Sequence, residues 1–395
     1  MLYTTRDNLV GDYIAIIAVL LMAIGTVFVF SASANIVREL DLQGFYNSQA
    51  GRRILYFPLA CLVMYVASCF DYRRFNYAKG WLKSPTTYLL VFSIALLIIV
   101  SSQRLAHTLP QLVPLTNKHY RWLKVPMGPM TISFQPSELA KWMIVFFLAA
   151  VCDKYGNEIK LYRKRFVPIC SVIAVAAALV IIEDFGTAAL ISFLGLLMLI
   201  IAGVKWWHVL TPMPFAAIAF FLALLSSPNR IRRITAFLNP EQLTGSAAYQ
   251  ANQSLIALGS GGLWGKGLGR GICKYGHLPE DTTDFIFAII GEELGLIGTA
   301  AVIFLFILFV WFGILVVIRC QDRFGRLLAG GIVLTIATQA AVNIGVVTVV
   351  LPTKGIPLPF VSAGGTSMLL SAAAAGVLLN IAKQSPKNKT GDKKS

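Results

Sequence analysis

The stretch "LGLIGTAAVIFLFILFVWFGILVVI", residues 294–318, decides the fold, because no side chain in it is charged. A helix rises about 1.5 Å per residue, so ~20 apolar residues cross the ~30 Å hydrocarbon core of a bilayer. Only the run 142–152 among the other uncharged runs is too short to span, unless Glu138 and Lys141 enter the membrane with it. The other runs are 13–37, 54–70, 84–103, 142–152, 166–182, 185–204, 206–229, 327–353 and 355–382.

The composition also indicates a membrane protein, since 57% of the 395 residues are hydrophobic, 13% are charged and the mean hydropathy is +0.72. A soluble domain of this length would carry more charge. Lipid cannot satisfy backbone N–H and C=O groups, so the spans must be helices; the strands of a barrel would alternate in polarity. The first run is too long for the apolar part of a cleaved signal peptide. We therefore expect an all-α polytopic membrane protein with about ten transmembrane helices, in a single membrane domain over residues 1–382.

Lysines and arginines set the expected orientation, because short loops rich in them stay on the cytoplasmic side. They concentrate after the second, fourth and eighth spans and in the tail 383–395, which is expected to be disordered. With ten spans, these segments share one face with both termini, so both termini are predicted to be cytoplasmic. The two long loops, 103–137 and 229–284, then lie outside, and the larger one joins helices 7 and 8.

Several cations lie in the loop 229–284, on the side that insertion disfavours. A formal net charge of +16 would suggest nucleic acid in a soluble chain. Here the positive-inside bias and anionic lipids explain much of it, and no nucleic acid partner is expected. The outer cations indicate an anionic partner on that face; alternatively, long loops cross the membrane whatever their charge. They are Arg230, Arg232, Arg233, Lys266, Arg270 and Lys274.

The same loop is rich in glycine between residues 259 and 271, and two interpretations stay open. Exposed N–H groups flanked by Lys266, Arg270 and Lys274 could cradle a phosphate. The segment could instead be a tight turn between helices that re-enter the interface. The Walker pattern fails, because Gly267 follows Lys266 where Ser or Thr is required, and the dinucleotide pattern fails on spacing.

Asp284 lies where this loop meets the apolar run Phe285-Ile286-Phe287. Partial desolvation there would raise the pKa of its carboxyl and make it a better base near neutral pH. The alternative is a helix N-cap. Glu292 and Glu293 follow inside the span, where carboxylates are costly. If Glu292 and Glu293 have a structural role, they pair with the outer arginines or with Lys354.

Two further stretches bring charge to the outer ends of spans. In "FQPSELAKW" (134–142), Pro136 suits the first turn of a helix, and Glu138 and Lys141 share a face as an ion pair. In "PTKGIPLPFVSAGGTS" (352–367), rigid backbone holds Lys354 as a plausible phosphate contact. The six cysteines and four histidines show no metal-ligand spacing, so no bound transition metal is indicated.

Several motifs together resemble the SEDS family (shape, elongation, division and sporulation), the bacterial group that includes FtsW, RodA and SpoVE. They occur in order over nearly the whole chain, and "IGEELGLIG" with "GSGGLWGKGLG" favours the FtsW and SpoVE branch. The motifs are "RWLKVPMGPMTISFQPSELAK" (121–141), "EDFGTA" (183–188), "FLNP" (237–240), "YQANQSLIALGSGGLWGKGLG" (249–269), "LPEDTTDFIFAIIGEELGLIG" (278–298) and "NIGVV…LPTKGIPLPFVSAGGTS" (343–367).

The resemblance implies a peptidoglycan glycosyltransferase that polymerises lipid II on the outer face of the bacterial cytoplasmic membrane, in division or cell-wall synthesis. It implies a catalytic role for Asp284 and functional roles for Trp122, beside Arg121, and for Lys354. It also implies a class B penicillin-binding transpeptidase and other divisome or elongasome membrane proteins as partners. The chain departs from the family pattern at Thr282, where the family often has His. The pattern also changes at Gly271-Ile272-Cys273-Lys274, which keeps only the lysine, at Ala363 in place of Tyr, and in the EDFGTA element.

The chemistry expected is general-base activation of the acceptor sugar hydroxyl by Asp284, with departure of undecaprenyl pyrophosphate. The leaving group is anionic, so the site needs cations, and a divalent cation (Mg²⁺ or Mn²⁺) is a candidate to share that role. The candidate substrate-binding residues are Trp122, Arg121, Lys354, Lys274, Lys266, Arg230, Arg233, Glu138 and Lys141. Two alternatives stay open. One is a lipid II flippase with a polar path along Glu138, Lys141, Glu183 and Asp184, and the other is a non-catalytic scaffold for a transpeptidase.

Overall fold

The protein is a bundle of long apolar helices in the computed structural model, which describes residues 9–33, 49–77, 80–106, 110–115, 119–127, 130–238, 246–274 and 282–384. Eight helical segments are long and apolar enough to cross a membrane, and each coincides with a predicted span. The helices are α1 Leu9–Ser33, α2 Gln49–Cys69, α3 Pro85–Ala106, α4 Pro136–Tyr155, α5 Val167–Ile181, α6 Phe185–Ile201, α7 Trp206–Leu210, α8 Pro212–Leu225, α9 Pro228–Leu238, α10 Ser246–Gly261, α11 Ile286–Arg319, α12 Arg323–Val347 and α13 Gly365–Gln384.

The two remaining predicted spans correspond to α4 and α6. Helix α6 is apolar but has only 17 residues, and Asp184 caps its N-terminus by accepting a bond from Thr187 N–H. Helix α4 has 20 residues and carries Glu138 and Lys141, yet it is buried from Pro136 to Cys152. It packs against α3, α6, α12 and α13, so protein rather than lipid surrounds its charges. The all-α polytopic prediction is confirmed, and α4 carries charge because it lies inside the bundle, which explains why its uncharged run is the shortest of the ten.

The two predicted outer loops contain structure that the sequence did not indicate. Strands β1 (Leu123–Met127) and β2 (Met130–Phe134) form an antiparallel hairpin in which Leu123 pairs with Phe134. The hairpin leads into α4, whose N-cap residue is Gln135 and whose first residue is Pro136. Proline suits this position because the first N–H groups of a helix have no partner within it. The second loop contains the helices α9 and α10.

Helix α11 is kinked at Gly295, whose φ of 68° and ψ of −161° break the helical hydrogen bonding. The glycine-rich segment lies against this kink and satisfies the freed backbone groups. Leu296 N–H donates to Gly262 O at 2.9 Å, while Lys266 N–H donates to Glu292 O at 3.0 Å. A Cβ on Gly265 would lie 2.2 Å from Glu293 O, so this approach requires glycine.

Helices α1, α2 and α13 pack together, and α1 also packs against α11. The segment 348–364 joins α12 to α13 and lies at the end of the bundle where α11 begins, because Ala363 N–H donates to Thr282 O at 3.0 Å. Of the predicted tail 383–395, Lys383 and Gln384 complete α13 and the remainder lies outside the described residues.

A candidate active site at one end of the bundle

Asp284 lies immediately before α11, half-buried, with Phe285 and Ile286 buried behind it. The predicted apolar surroundings are therefore present. The N-cap residue of α11 is Phe285, not Asp284, so the N-cap interpretation is wrong. Asp284 sits one residue ahead of the cap position.

The segment that carries Lys354 lies against Asp284 and fixes its backbone. Asn343 Nδ2, on α12, donates to Asp284 O and to Ile356 O, both at 2.8 Å, and so joins the two segments. A Cβ on Gly355 would lie 2.8 Å from Asp284 Oδ2, so the carboxylate packs against this glycine. The two family motifs around Asp284 and Lys354 are therefore parts of one site.

Two cations lie over the ring of Phe185, at the start of α6. Lys354 Nζ is 5.0 Å from the ring centroid and the guanidinium carbon of Arg230 is 5.3 Å from it. Arg230 also donates to the carbonyl oxygens of Ile181 and Ile182 at 2.9 and 2.6 Å. Burial lowers the pKa of Lys354, and the negative charge of Asp184 opposes that shift.

Arg121 and Arg233 complete a cationic cluster, defined here as Arg121, Arg230, Arg233 and Lys354. Arg121 Nε donates to Glu183 O at 2.6 Å. Burial and the charge of Arg121 lower the pKa of Arg233, while the charge of Asp284 opposes the shift. In the part of the chain that the structure describes, none of the four forms an ion pair. Their positive charge is therefore available to an anionic ligand.

The neighbouring carboxylates have protein partners of their own. Glu183 accepts from Arg104 Nη1 at 3.1 Å and from Tyr120 N–H at 3.0 Å, and His119 Nδ1 lies 3.1 Å away. Burial alone would raise the pKa of Glu183, but these hydrogen bonds hold it below its ordinary value. From the sequence, Glu183 was a candidate only for a lipid path. Arg104 and His119 were not identified, because their partner Glu183 is remote in sequence.

Trp122 follows Arg121 and is half-buried at the start of the hairpin. A small cleft, open to solvent, lies beside Arg121. Its apolar wall comes from α3 and α5, and its polar wall includes Ser137, Glu183 and Asp184. Apolar and polar side chains therefore meet beside Arg121.

Lys266 and Lys274, two of the predicted substrate-binding residues, are not part of this cluster. Lys266 Nζ pairs with Glu292 Oε1 at 2.7 Å, and Lys274 Nζ pairs with Glu293 Oε1 at 2.9 Å. The prediction that Glu292 and Glu293 pair with the outer arginines or with Lys354 is thus wrong. The kink at Gly295 brings the glycine-rich segment against α11 and supplies these lysines instead.

The structure of the glycine-rich segment agrees with a tight turn and not with a cradle for phosphate. Its Ile272 and Cys273 N–H groups donate to the Glu292 carboxylate, and its Gly267 N–H donates to Glu293 O. These donors are therefore used within the protein. Burial, with the charge of Glu292 adding to it, raises the pKa of the Cys273 thiol to about 11, so this thiol stays protonated.

Glu138 and Lys141 form the expected ion pair, at 2.8 Å, and both are buried. Lys141 Nζ also donates to Gln339 Oε1 at 2.8 Å, and Gln339 Nε2 donates to Pro357 O at 3.0 Å. These bonds connect the pair to the segment that carries Lys354, while substrate binding by Glu138 or Lys141 stays a prediction.

The structure does not describe every residue near Asp284 in the sequence, and what it shows about metal ligands concerns the described residues. Glu280, Asp281 and His277 lie outside the described residues. Within the described residues, no group of three or more His, Cys, Asp or Glu side chains is placed to hold a metal ion.

Comparison with known proteins gives consistent similarities. The family model FTSW_RODA_SPOVE, described as "Cell cycle protein", matches residues 12–387. A probable peptidoglycan glycosyltransferase FtsW of Geobacter metallireducens is 36% identical over 93% of this chain and 93% of its own length. Stage V sporulation protein E of Bacillus subtilis is 35% identical over 97% and 99%.

Two solved structures share the fold at 20% sequence identity. A chain from a study titled "Structural coordination of polymerization and crosslinking by a peptidoglycan synthase complex" superposes with a TM-score of 0.71 over 94% of this chain and 96% of its own. The rod shape determining protein RodA of Thermus thermophilus superposes with a TM-score of 0.63 over 95% and 97%. Both likenesses concern the arrangement of helices.

Proposed function

Because this chain belongs to the FtsW, RodA and SpoVE family of cell cycle proteins, we propose that it is a peptidoglycan glycosyltransferase that polymerises lipid II. The names of the FtsW relatives supply the reaction class. The observation that carries the proposal is the position of Asp284 beside a cluster of four cations, none of which forms an ion pair within the described residues. A carboxylate and an anion-binding surface are the two requirements of this chemistry.

In the proposed reaction, the 4-hydroxyl oxygen of the acceptor sugar attacks the anomeric carbon of the donor sugar. Asp284 accepts the hydroxyl proton, and a bond forms between that oxygen and the anomeric carbon. The bond from the anomeric carbon to the pyrophosphate oxygen breaks, and undecaprenyl pyrophosphate leaves with the electron pair. A positioned base contributes about 10²–10⁴-fold to such a rate.

The cationic cluster stabilises the negative charge that develops on the leaving group. Arg121 and Arg230 are held by backbone carbonyl oxygens, so their planar guanidinium groups are already oriented. Arginine presents paired N–H donors that match phosphate oxygens, and Lys354 adds a compact charge. Pre-organised donors lose little freedom when the substrate binds.

A divalent cation remains part of the proposal only as a companion of the pyrophosphate. Mg²⁺ is commonly held by one or two carboxylates together with substrate phosphates, so it does not need a site made of protein ligands alone. The described residues fit that arrangement, and Asp284 is the candidate protein ligand. The ion would supply additional positive charge at the pyrophosphate.

We place the site on the outer face, with both termini cytoplasmic. The support is the distribution of lysine and arginine between the two ends of the chain's spans. The partner that we propose is a class B penicillin-binding transpeptidase, in a divisome or elongasome assembly. The structural match to a chain from a peptidoglycan synthase complex supports association with such an enzyme.

The flippase alternative loses its main support. Glu138 and Lys141 were proposed to line a polar path, but they bond to each other and to Gln339 inside the bundle. Glu183 and Asp184 lie at the end of α6 rather than along its length. Alternating access needs polar sites near the middle of the membrane.

The test is purified protein with labelled lipid II, with and without the transpeptidase, comparing wild type with Asp284→Asn. We expect glycan polymer from the wild type and about 10²–10⁴-fold less from the variant. Glu158→Gln, which removes an exposed carboxylate paired with Arg165, is the matched control and should polymerise normally. Equal polymer from Asp284→Asn overturns the role of Asp284, and headgroup transfer across liposomes without polymer supports the flippase.

A further inference from the structure

Arg53, in the first turns of α2, is 1% exposed and extends into the bundle between α1 and the segment 358–363. Its Nη1 donates to Ser362 O at 2.6 Å and its Nη2 donates to Phe360 O. It also contacts α1, through Met22 O at 3.4 Å and Thr26 Oγ1 at 3.3 Å. Within the described residues it forms no ion pair, so its partners are backbone oxygens and one hydroxyl.

Burying a guanidinium without a carboxylate partner in a membrane helix costs desolvation free energy. Charged groups in such helices are rare and usually mark a functional requirement. The five N–H donors of arginine can hold several carbonyl oxygens at once, which no apolar side chain of similar size can do. The structure around Arg53 therefore indicates that holding these carbonyls is its role.

The turn that Arg53 holds is strained and closely packed. Phe360 has φ of 65°, a left-handed conformation that bulky residues rarely adopt. Such a conformation persists only when its surroundings enforce it. Helix α1 approaches at Gly25, where a Cβ would lie 2.3 Å from Val361 O and 2.6 Å from Arg53 Nη2. Glycine at this position is therefore needed for the contact.

The held turn bonds directly to the residues before Asp284. Ser362 Oγ donates to Thr283 O at 2.6 Å, and Ala363 N–H donates to Thr282 O at 3.0 Å. One helical turn before Arg53, Gln49 accepts a hydrogen bond from the Thr282 hydroxyl. Residues i and i+4 lie on one face of a helix, so this face of α2 holds both the turn and the segment leading to Asp284.

We infer that Arg53 is a positioning residue: by holding the carbonyls of Phe360 and Ser362 it fixes the turn on which the placement of Asp284 depends. Arg53 itself is buried and does not touch the substrate. The inference rests on the proposed function for its effect on rate, and on the hydrogen bonds alone for its effect on the turn. A misplacement of about 1 Å can lower a rate ~10²-fold.

The matched control for Arg53 is Asn380, a buried polar residue of α13 that bonds to the opposite end of α2. Asn380, on α13, donates to Ser68 O at 2.8 Å and accepts from Tyr72 N–H at 3.1 Å. It is buried and polar like Arg53, but it contacts neither the turn nor Asp284. Asn380→Ala therefore weakens the packing of α2 against α13 without touching the site.

The experiment compares wild type, Arg53→Gln, Arg53→Lys and Asn380→Ala by hydrogen–deuterium exchange, thermal unfolding and lipid II polymerisation. In Arg53→Gln, we expect faster exchange of the Val361, Ser362 and Ala363 amides and a rate lowered by about 10–100-fold. Arg53→Lys retains part of the donor set, so both effects should be intermediate. Asn380→Ala should change exchange only near residues 66–76 and 376–384, with a near-normal rate.

Unchanged exchange over 356–364 in both Arg53 variants would overturn the inference. So would an Asn380→Ala rate as low as that of Arg53→Gln at equal unfolding temperature, because the role would then be general packing. If even the wild type makes no polymer, the proposed function fails, while the exchange data still decide whether Arg53 holds the turn.

Discussion

Two groups of cations on the predicted outer face differ in the partners that they contact. Lys266 and Lys274, in the glycine-rich segment, each pair with a buried carboxylate of α11. In the cationic cluster, backbone carbonyls hold Arg121 and Arg230, and Lys354 lies over an aromatic ring. None of the four cations forms an ion pair within the described residues. Both groups consist of basic residues, and they differ in whether a carboxylate pairs with them.

The difference separates charge that supports the fold from charge that can bind a ligand. The charge of a buried lysine paired with glutamate is neutralised by that carboxylate. Removing either member leaves an unpaired charge in the interior. A cation held by carbonyl oxygens keeps its full net charge while its position is fixed. Only the second arrangement suits a pyrophosphate that arrives and leaves in every cycle.

The strongest way to break this comparison is Glu293→Ala, which leaves Lys274 with no carboxylate in a site that is 2% exposed at its side chain. We expect a loss of about 3–5 kcal/mol in unfolding free energy, since this is typical when one partner of a buried pair is removed. Thermal unfolding in detergent measures it. Adding Lys274→Met should recover much of the loss; stability equal to wild type in the single variant would contradict a structural role.

Lys354→Met and Arg233→Met address the other group. Each removes a cation without leaving a buried carboxylate unpaired, so the unfolding temperature should stay near that of wild type. A hydrogen bond to a charged group is worth about 1.5–3 kcal/mol, so kcat/KM for lipid II should fall about 10–100-fold. Lys205→Met, which removes an exposed cation outside the cluster, is the control. A normal kcat/KM in both variants would remove the cluster from the mechanism.

Lys266→Ala should have a smaller effect on stability than Glu293→Ala. The lysine side chain is 28% exposed, and Glu292 retains the N–H donors of Ile272 and Cys273 after the substitution. We expect a loss of about 1–2 kcal/mol, as for a buried acceptor that loses one of several partners. Unfolding measurements should therefore rank Glu293→Ala well below Lys266→Ala; the reverse order would show that backbone donors do not sustain Glu292.

The sequence predicted the membrane helices well because uncharged length is a local property. Charge-free runs located every span, and even α4 was located although it is a buried helix with its own ion pair. The hairpin at 123–134 and the helices α9 and α10 were missed, since hydropathy reports contact with lipid and not packing between loops. The kink at Gly295 was also hidden, because its cause is a contact with the segment 262–267.

The site was predicted in part, and the reason lies in distance along the chain. Arg121, Arg230, Arg233 and Lys354 were all candidates, but only the fold separates them from Lys266 and Lys274. Arg53 was missed for a simpler reason: it lies directly before the uncharged run 54–70, and the helix begins earlier than that run, at Gln49. The family resemblance, in contrast, identified Asp284 and Lys354 as candidates, and the structure shows that Asn343 bonds to the segments of both.

The smallest effect that we expect separates Lys354 from an ordinary surface lysine by pH. Burial lowers its pKa, so Lys354 loses its proton at a lower pH than an exposed lysine does. The protonated form binds the pyrophosphate, so the polymerisation rate at low lipid II concentration should fall by a few-fold as pH rises through that lowered pKa. Arginine stays charged throughout this range. Lys354→Arg should therefore give a flatter alkaline profile, and an alkaline decline that persists unchanged in this variant would assign the titration to another group.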